Sequence, residues 1–239
     1  MIRAAYTAAS GMIAESQRLD LMAYNLANVS TAGFKGAGVV RQSQRPTFPA
    51  VATDVQTAPA GQYQDPSAGS LRPTGVALDF ALEGDGYFEV RTAGGPAYTR
   101  NGHFRVTPDG SLTDARGNLV LGETGPLKVA SADTIAVSED GTVSADGKRV
   151  DRLSLRKFSN TDELRSSGAG LFFPAAGTVA ESATPRVAQQ TLEDSNVSTM
   201  AEMGHMIETL RAFESYQKVI TTVMDDVTGQ AVRQLGRLA

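Results

Sequence analysis

Ser198-Thr199-Met200-Ala201-Glu202-Met203-Gly204-His205-Met206-Ile207-Glu208-Thr209-Leu210-Arg211-Ala212-Phe213 opens the stretch whose reading decides the fold. From here apolar residues recur at alternating steps of three and four. Met203, Leu210, Gln217, Met224, Ala231 and Leu238 stand seven apart. Met206, Phe213, Ile220, Val227 and Gln234 form a second row. Such a pattern belongs to a helix that lays an apolar seam against another helix. Ser198 and Thr199, with Glu202 three after Thr199, read as an N-cap and capping box. One continuous helix from Ser198 to Ala239 would be about 60 Å long, more than most globular domains need.

The opposite end repeats the pattern. Ala5, Met12, Leu19 and Leu26 are seven apart, and Ala8, Met22 and Val29 fill most of the companion row. The spacing predicts a helix from Ile2 to Asn28, with Gly11 as its one weak point. Asn28-Val29-Ser30-Thr31-Ala32-Gly33 ends it with turn formers. A single core-facing helix would be the ordinary explanation of one short stripe. Two long stripes at opposite ends need more cover than a small domain offers, and left open they would be adhesive surface. Residues 1–50 carry five basic and two acidic residues, and residues 190–239 carry four basic and seven acidic. Opposite charge favours contact between the two ends. The expectation is a coiled coil of the terminal helices, completed by other chains.

Between them the period changes to two. Val76–Leu82, Tyr87–Arg91, Tyr98–Val106, Asn118–Leu121, Leu127–Val129, Thr134–Val137 and Val150–Phe158 read as strands. Asp85-Gly86, Asp109-Gly110, Asp140-Gly141 and Asp146-Gly147 supply hairpin signals between or beside them. Leu153 and Leu155 alternate with Ser154 and Arg156, which predicts a solvated face for the latter pair. From Gly36 to Gly75 the composition shifts: five of the ten prolines fall here and few residues could build a core. That stretch reads as an extended arm. The expected class is therefore α+β: long N- and C-terminal helices pairing as a coiled coil, an all-β central domain and an extended Pro/Gly-rich arm. The expected divisions are 1–35, 36–75, 76–190 and 191–239.

Composition closes most chemical routes. The chain has 239 residues, no Cys, two His, and 22 Lys+Arg against 26 Asp+Glu. A net charge of −4 is wrong for a nucleic-acid binder, whose footprint is a basic stripe. Without Cys there is no disulfide framework, thiolate zinc site or thiol nucleophile. His103 and His205 are far apart in sequence. No apolar run approaches the ~20 residues of a membrane span. The N-terminus lacks a basic stretch followed by a continuous apolar core, so no cleavable signal is expected. Glu83-Gly84-Asp85-Gly86 and Asp109-Gly110 place carboxylates near one another, but each has a turn glycine beside it. Phosphate loops, calcium loops and nucleophile elbows are absent. No catalytic residue, cofactor or metal is expected.

Three segments carry a family resemblance. Asn25-Leu26-Ala27-Asn28-Val29-Ser30-Thr31-Ala32-Gly33-Phe34-Lys35 resembles the N-terminal signature of the bacterial flagellar rod, hook and hook-associated axial proteins, and Tyr6-Thr7-Ala8-Ala9-Ser10-Gly11-Met12 fits its start. Ala81-Leu82-Glu83-Gly84-Asp85-Gly86-Tyr87-Phe88 and Tyr98-Thr99-Arg100-Asn101-Gly102-His103-Phe104 resemble the β domain of the hook and larger rod proteins. Leu192-Glu193-Asp194-Ser195-Asn196-Val197, then Met206-Ile207-Glu208 and Arg211-Ala212-Phe213-Glu214, resemble the C-terminal signature. Tyr24 departs from the pattern, where the family usually has a second Asn. Phe213 to Ile220 and the tail Leu235 to Ala239 look more like proximal-rod than distal-rod members.

The resemblance implies a structural subunit of a helical polymer that transmits torque and forms an export channel. It implies partners that are further copies, neighbouring rod proteins and the flagellar type III export apparatus. It also implies uncleaved export to the periplasmic rod of the basal body. Neither nucleic acid nor membrane insertion enters this reading. Met12, Leu19, Met22, Leu26, Met203, Met206, Leu210, Phe213, Ile220 and Val227 would form the assembly interface. Asn25, Asn28, Thr31, Gly33, Phe34, Lys35, Ser195, Asn196, Arg211 and Glu214 carry the family motif, with Gly33 and Phe34 turning and anchoring the chain where the arm leaves the helix. Two rivals remain: a secreted binding module or adhesin oligomerised by its helices, and a peptidoglycan hydrolase, which the missing catalytic constellation disfavours.

Overall fold

The computed structural model describes residues 2–39, 62–129, 134–167, 170–175 and 177–235. The chain divides into two compact units. A helical unit takes Met1–Ala27, Ala37–Tyr63 and Ser198–Ala239, and a β unit takes Asn28–Gly36 and Gln64–Val197.

The helical unit holds α1 (Ile2–Ala27) and α2 (Thr199–Leu235), of 26 and 37 residues. They run antiparallel, so Asn25 meets Glu202, Met22 meets Thr209 and Gly11 meets Tyr216. Ser198 caps α2, its Oγ accepting the Ala201 N–H at 3.4 Å. Glu202 does not close the expected capping box. Its carboxylate instead accepts a hydrogen bond from Asn25 Nδ2 at 3.0 Å, a cross-helix partner that sequence spacing alone does not reveal. Gly11 also changes meaning: a Cβ there would lie 2.8 Å from the Tyr216 ring. The apparent weak point in α1 is the notch that admits an aromatic side chain.

The strands follow in order. β1 (Ala37–Val39) pairs with β2 (Gln62–Gln64). Next come β3 (Leu71–Pro73), β4 (Phe80–Glu83), β5 (Tyr87–Thr92), β6 (Gly95–Thr99), β7 (Arg105–Val106), β8 (Leu112–Thr113) and β9 (Leu119–Val120). The meander β10 (Ile135–Val137), β11 (Thr142–Ala145) and β12 (Lys148–Arg152) follows, then β13 (Leu155–Lys157) and β14 (Leu164–Ser166). The last are β15 (Leu171–Pro174), β16 (Glu181–Ser182), β17 (Arg186–Gln189) and β18 (Thr191–Glu193). Among the described residues the largest sheet has the path β14-β15-β6-β5-β9-β8-β7, with β13 joining β5 to β16. Late strands close on early ones: β17 pairs antiparallel with β4, and β18 with β3.

Three of the four Asp-Gly pairs sit at hairpin ends. Asp146 and Gly147 both take left-handed φ, 51° and 77°, as a tight β11–β12 turn requires. Asp85-Gly86 instead joins β4 to β5, which lie in different sheets. The expected strand Tyr98–Val106 breaks after Thr99, and the Gly102 backbone turns in against Phe80. A Cβ on Gly102 would lie 1.8 Å from the Phe80 carbonyl oxygen. Ser154 corrects the alternation: it is buried, and its hydroxyl donates to Glu89 Oε2 at 2.5 Å.

The core gathers Phe80, Phe88, Val90, Phe104, Val120, Leu127, Val143 and their neighbours. Phe88 and Phe104 meet edge to face at 5.2 Å. A second cluster stacks Tyr87, Tyr98, Phe158, Leu164 and Phe172. Of the expected arm, residues 40–61 lie outside the described residues. Residues 64–75 are part of the β unit, because β3 gains its ladder from β18. β18 lies in the division 191–239 ahead of the C-terminal helix, and α2 starts at Thr199, directly after the Ser198 expected to cap it.

Candidate functional site

The motif residues of the two chain ends fall into two places. In the helical unit Asn25 is buried at the C-terminal end of α1. Its Oδ1 accepts the Ala37 N–H at 3.0 Å, while its Nδ2 donates to Ala37 O and to Glu202 Oε1. One amide thus holds α1, α2 and the start of β1. An aliphatic side chain of the same size would leave the Ala37 amide and carbonyl unmatched.

In the β unit the N-terminal signature turns and meets the C-terminal one. Asn28 accepts the Thr31 N–H at 3.0 Å and the Thr31 hydroxyl at 3.4 Å, which forms the turn. Gly33 has φ +65°, and its missing Cβ would stand 2.4 Å from the backbone carbon of Arg100. Only glycine satisfies both conditions. Its N–H donates to the Glu193 carbonyl at 2.7 Å. Phe34 is buried, and Asn196 N donates to its carbonyl.

Lys35 follows and carries a charge into the interior; its side chain is 2% exposed and that of Glu193 1%. Lys35 Nζ donates to Glu193 Oε1 at 2.5 Å and to Ser67 O at 2.6 Å. Burial lowers the Lys35 ammonium below its ordinary pKa of 10.5, against the opposing pull of the Glu193 hydrogen bond and charge. Glu193 Oε1 also accepts the Gly69 N–H at 3.0 Å, and Oε2 faces Arg100 Nη1 at 3.4 Å. Arg100 donates further to the carbonyls of Leu82 and Gly84 and lies 5.4 Å over the Tyr87 ring. Burial also raises the Tyr87 phenol above its ordinary pKa.

Asn196 is the neutral hub beside this cluster. Its Oδ1 accepts Gly36 N at 2.8 Å, and its Nδ2 lies within donating reach of Asp65 O, Ser67 O and Ser67 Oγ. Ser195 Oγ accepts the Val197 N–H. Gly33, Phe34, Lys35 and Asn196, read separately from two ends of the sequence, are thus brought together. Arg211 and Glu214 are not; both are exposed on α2. Glu193, Arg100, Ser67 and Gly69 were missed as site residues. Glu193 and Arg100 stood inside the recognised motifs, but their neighbours in sequence, Leu192 and Asp194, Thr99 and Asn101, are mostly polar and gave no sign that either charge is buried.

The expected assembly residues split. Met22 is buried against α2, while Met12, Leu19, Leu26, Met206, Phe213 and Ile220 are half-buried. Thr209 is buried and its hydroxyl faces Met22 Sδ at 3.9 Å. Met203, Leu210 and Val227 are 48%, 43% and 42% exposed. For Met203 and Leu210 the cause is angular. The side of α2 that faces α1 follows Met206, Thr209, Phe213, Tyr216 and Ile220, so the companion row turns outward. For Val227 the cause is length, because α2 outruns the shorter α1. Met200, Met203, Ile207 and Leu210 form an exposed apolar line at helical spacing.

The described residues hold no group of three or more His, Asp or Glu able to bind a metal ion. No helix among them is long and apolar enough to cross a membrane. His103 Nδ1 meets buried Asp79 at 2.7 Å, and the same two residues form a single antiparallel β-bridge just outside the strands.

Residues 6–35 match the family model described as flagella basal body rod protein. Residues 81–145 match the D1 domain of the flagellar hook protein FlgE/F/G, and residues 188–230 match the C-terminal model of the basal body rod FlgEFG proteins. The chain is 34% identical to the flagellar basal-body rod protein FlgF of Rhizobium meliloti and 37% identical to that of Escherichia coli, with 97% of each chain covered in both comparisons. It is 33% identical to the rod protein FlgG of Bacillus subtilis over 93% of this chain and 95% of that one.

Proposed function

The chain belongs to the flagellar basal-body rod protein family and is a structural subunit of the rod in the flagellar basal body; from that premise we propose that it builds the proximal rod by helical polymerisation through α1 and α2. The observation that carries this reading is the open apolar line Met200, Met203, Ile207 and Leu210 on α2. Its residues continue the heptad spacing, yet α1 covers only the other row. Burying them against neighbouring helices removes apolar area from water at about 25 cal/mol per Å². In this account α1 and α2 pair as a coiled coil and the neighbouring copies fill the second seam.

The partners are then further copies, adjacent rod proteins and, during delivery, the flagellar type III export apparatus. The assembled layer transmits torque and surrounds the export channel. The proximal position rests on the FlgF relatives, 34–37% identical over 97% of this chain. Similarity to FlgG of Bacillus subtilis favours a distal-rod position as the second reading. The rod test is Leu210→Asp. We expect the variant to be exported at normal level, to be absent from purified basal bodies and to leave cells non-motile. Normal swimming with the variant incorporated would refute the assembly surface.

A further inference from the structure

We propose that Lys35, Arg100 and Glu193 form an ionic latch that closes three peripheral segments of the β unit in one cooperative step. The segments are residues 33–36, 65–70 and 193–196. Phe34 is buried and Glu193 ends the β18–β3 ladder; hydrogen bonds join the three segments to one another. Gly33 N donates to Glu193 O, Asp65 N to Gly36 O, Asp194 N to Ser70 O, and Asn196 N to Phe34 O. Side chains close the remaining gaps. Lys35 spans Ser67 and Glu193, Glu193 spans Lys35, Gly69 and Arg100, and Asn196 spans Gly36, Asp65 and Ser67. The fit is close: a Cβ on Gly69 would stand 1.9 Å from Asp194 O.

The charge arrangement makes closure all-or-none. Two buried cations share one buried carboxylate, and among the described residues the ion pairs of both are to Glu193. With Glu193 in place, Lys35 is compensated and Arg100 is fastened to the carbonyls at the end of β4. Without the carboxylate, two desolvated cations face each other, and the segments must part to readmit water. Each segment lies within a few residues of a point where the chain passes to the helical unit, at 36/37, 63/64 and 197/198. The latch therefore fixes the β-unit ends of three passages simultaneously.

The test is amide hydrogen exchange on the full chain. In Glu193→Gln, which keeps the shape, the amides of Gly33, Gly36, Asp65, Gly69 and Asp194 should exchange about a hundredfold faster or more, and at one shared rate. Amides of Glu89, Leu121 and Leu127, bonded within the sheet region, should keep their rates. Lys35→Met leaves one cation with one anion and provides the variant if Glu193→Gln does not fold. It should accelerate the same five amides together, by a smaller factor. Acceleration confined to Gly69, or five unrelated rates in either variant, would overturn the latch.

Discussion

In the β unit Phe88, Val90 and Val120 are wholly covered by strands of the same unit, whereas along α2 Met203, Ile207 and Leu210 stand open. Both regions are built from apolar residues at regular spacing, so hydrophobicity alone does not separate them. The difference is who supplies the cover. Strands pair through the chain's own late segments, β17 on β4 and β18 on β3. A helix with two apolar rows needs two neighbours, and α1 is only one. One chain thus carries a β unit that covers its own core and a helical unit with an apolar row left open.

That contrast can be broken at several points. The largest effect belongs to Phe88→Ala, which should cost the β unit about 3–5 kcal/mol in denaturant unfolding. A loss of only tenths would mean the core is less complete than its burial implies. Gly33→Ala should cost about 2–4 kcal/mol, because left-handed φ and backbone overlap with Arg100 act together. Thermal unfolding of the purified variant checks it. In the helical unit, Asn25→Ala should cost about 1–3 kcal/mol by leaving the backbone of Ala37 unpaired. Exchange of the Ala37 amide would locate the loss. Leu210→Asp should change the stability of the free chain by no more than about 0.5 kcal/mol, as expected of an exposed site. A larger loss would place Leu210 in a core that the single chain already closes.

The smallest effect concerns the turns. The Ser111 hydroxyl holds Asp109, and the Thr142 N–H holds Asp140, below the ordinary carboxylate pKa of 3.8. A depressed folded-state pKa gives stability that is present above the unfolded value and lost as pH falls through the folded one. Acid titration followed by carboxyl resonances should place both groups below 3.8. Ser111→Ala should move Asp109 upward and leave Asp140 unchanged.

Much of this architecture was legible, and for local reasons. Heptad spacing gives both helices, because one face recurs every seven residues whatever the partner. Asp-Gly gives three hairpin ends, because those residues tolerate the backbone a tight turn imposes. The β5–β6 hairpin was not legible as a turn, since its Ala93-Gly94 link lacks that signature. The row of α2 that α1 covers was equally hidden, since the covered side runs through Thr209 and Tyr216. Tyr216 takes its place because Gly11 makes room, a match across 205 positions. The latch shows the same limit: Lys35 and Glu193 are 158 residues apart. Motif resemblance marked the two ends and their helices were expected to pair, but nothing revealed that Lys35 and Glu193 meet.

Methionine oxidation compares the two conditions of α2 in one experiment. Met203 and Met224 are exposed in the single chain, and Met22 is buried. In the free protein Met203 and Met224 should oxidise readily while Met22 resists. In purified basal bodies Met203 should become as resistant as Met22, because a neighbouring helix then covers it. Met203 oxidising in the assembled rod as fast as in the free chain would contradict the claim that this face of α2 is where subunits join.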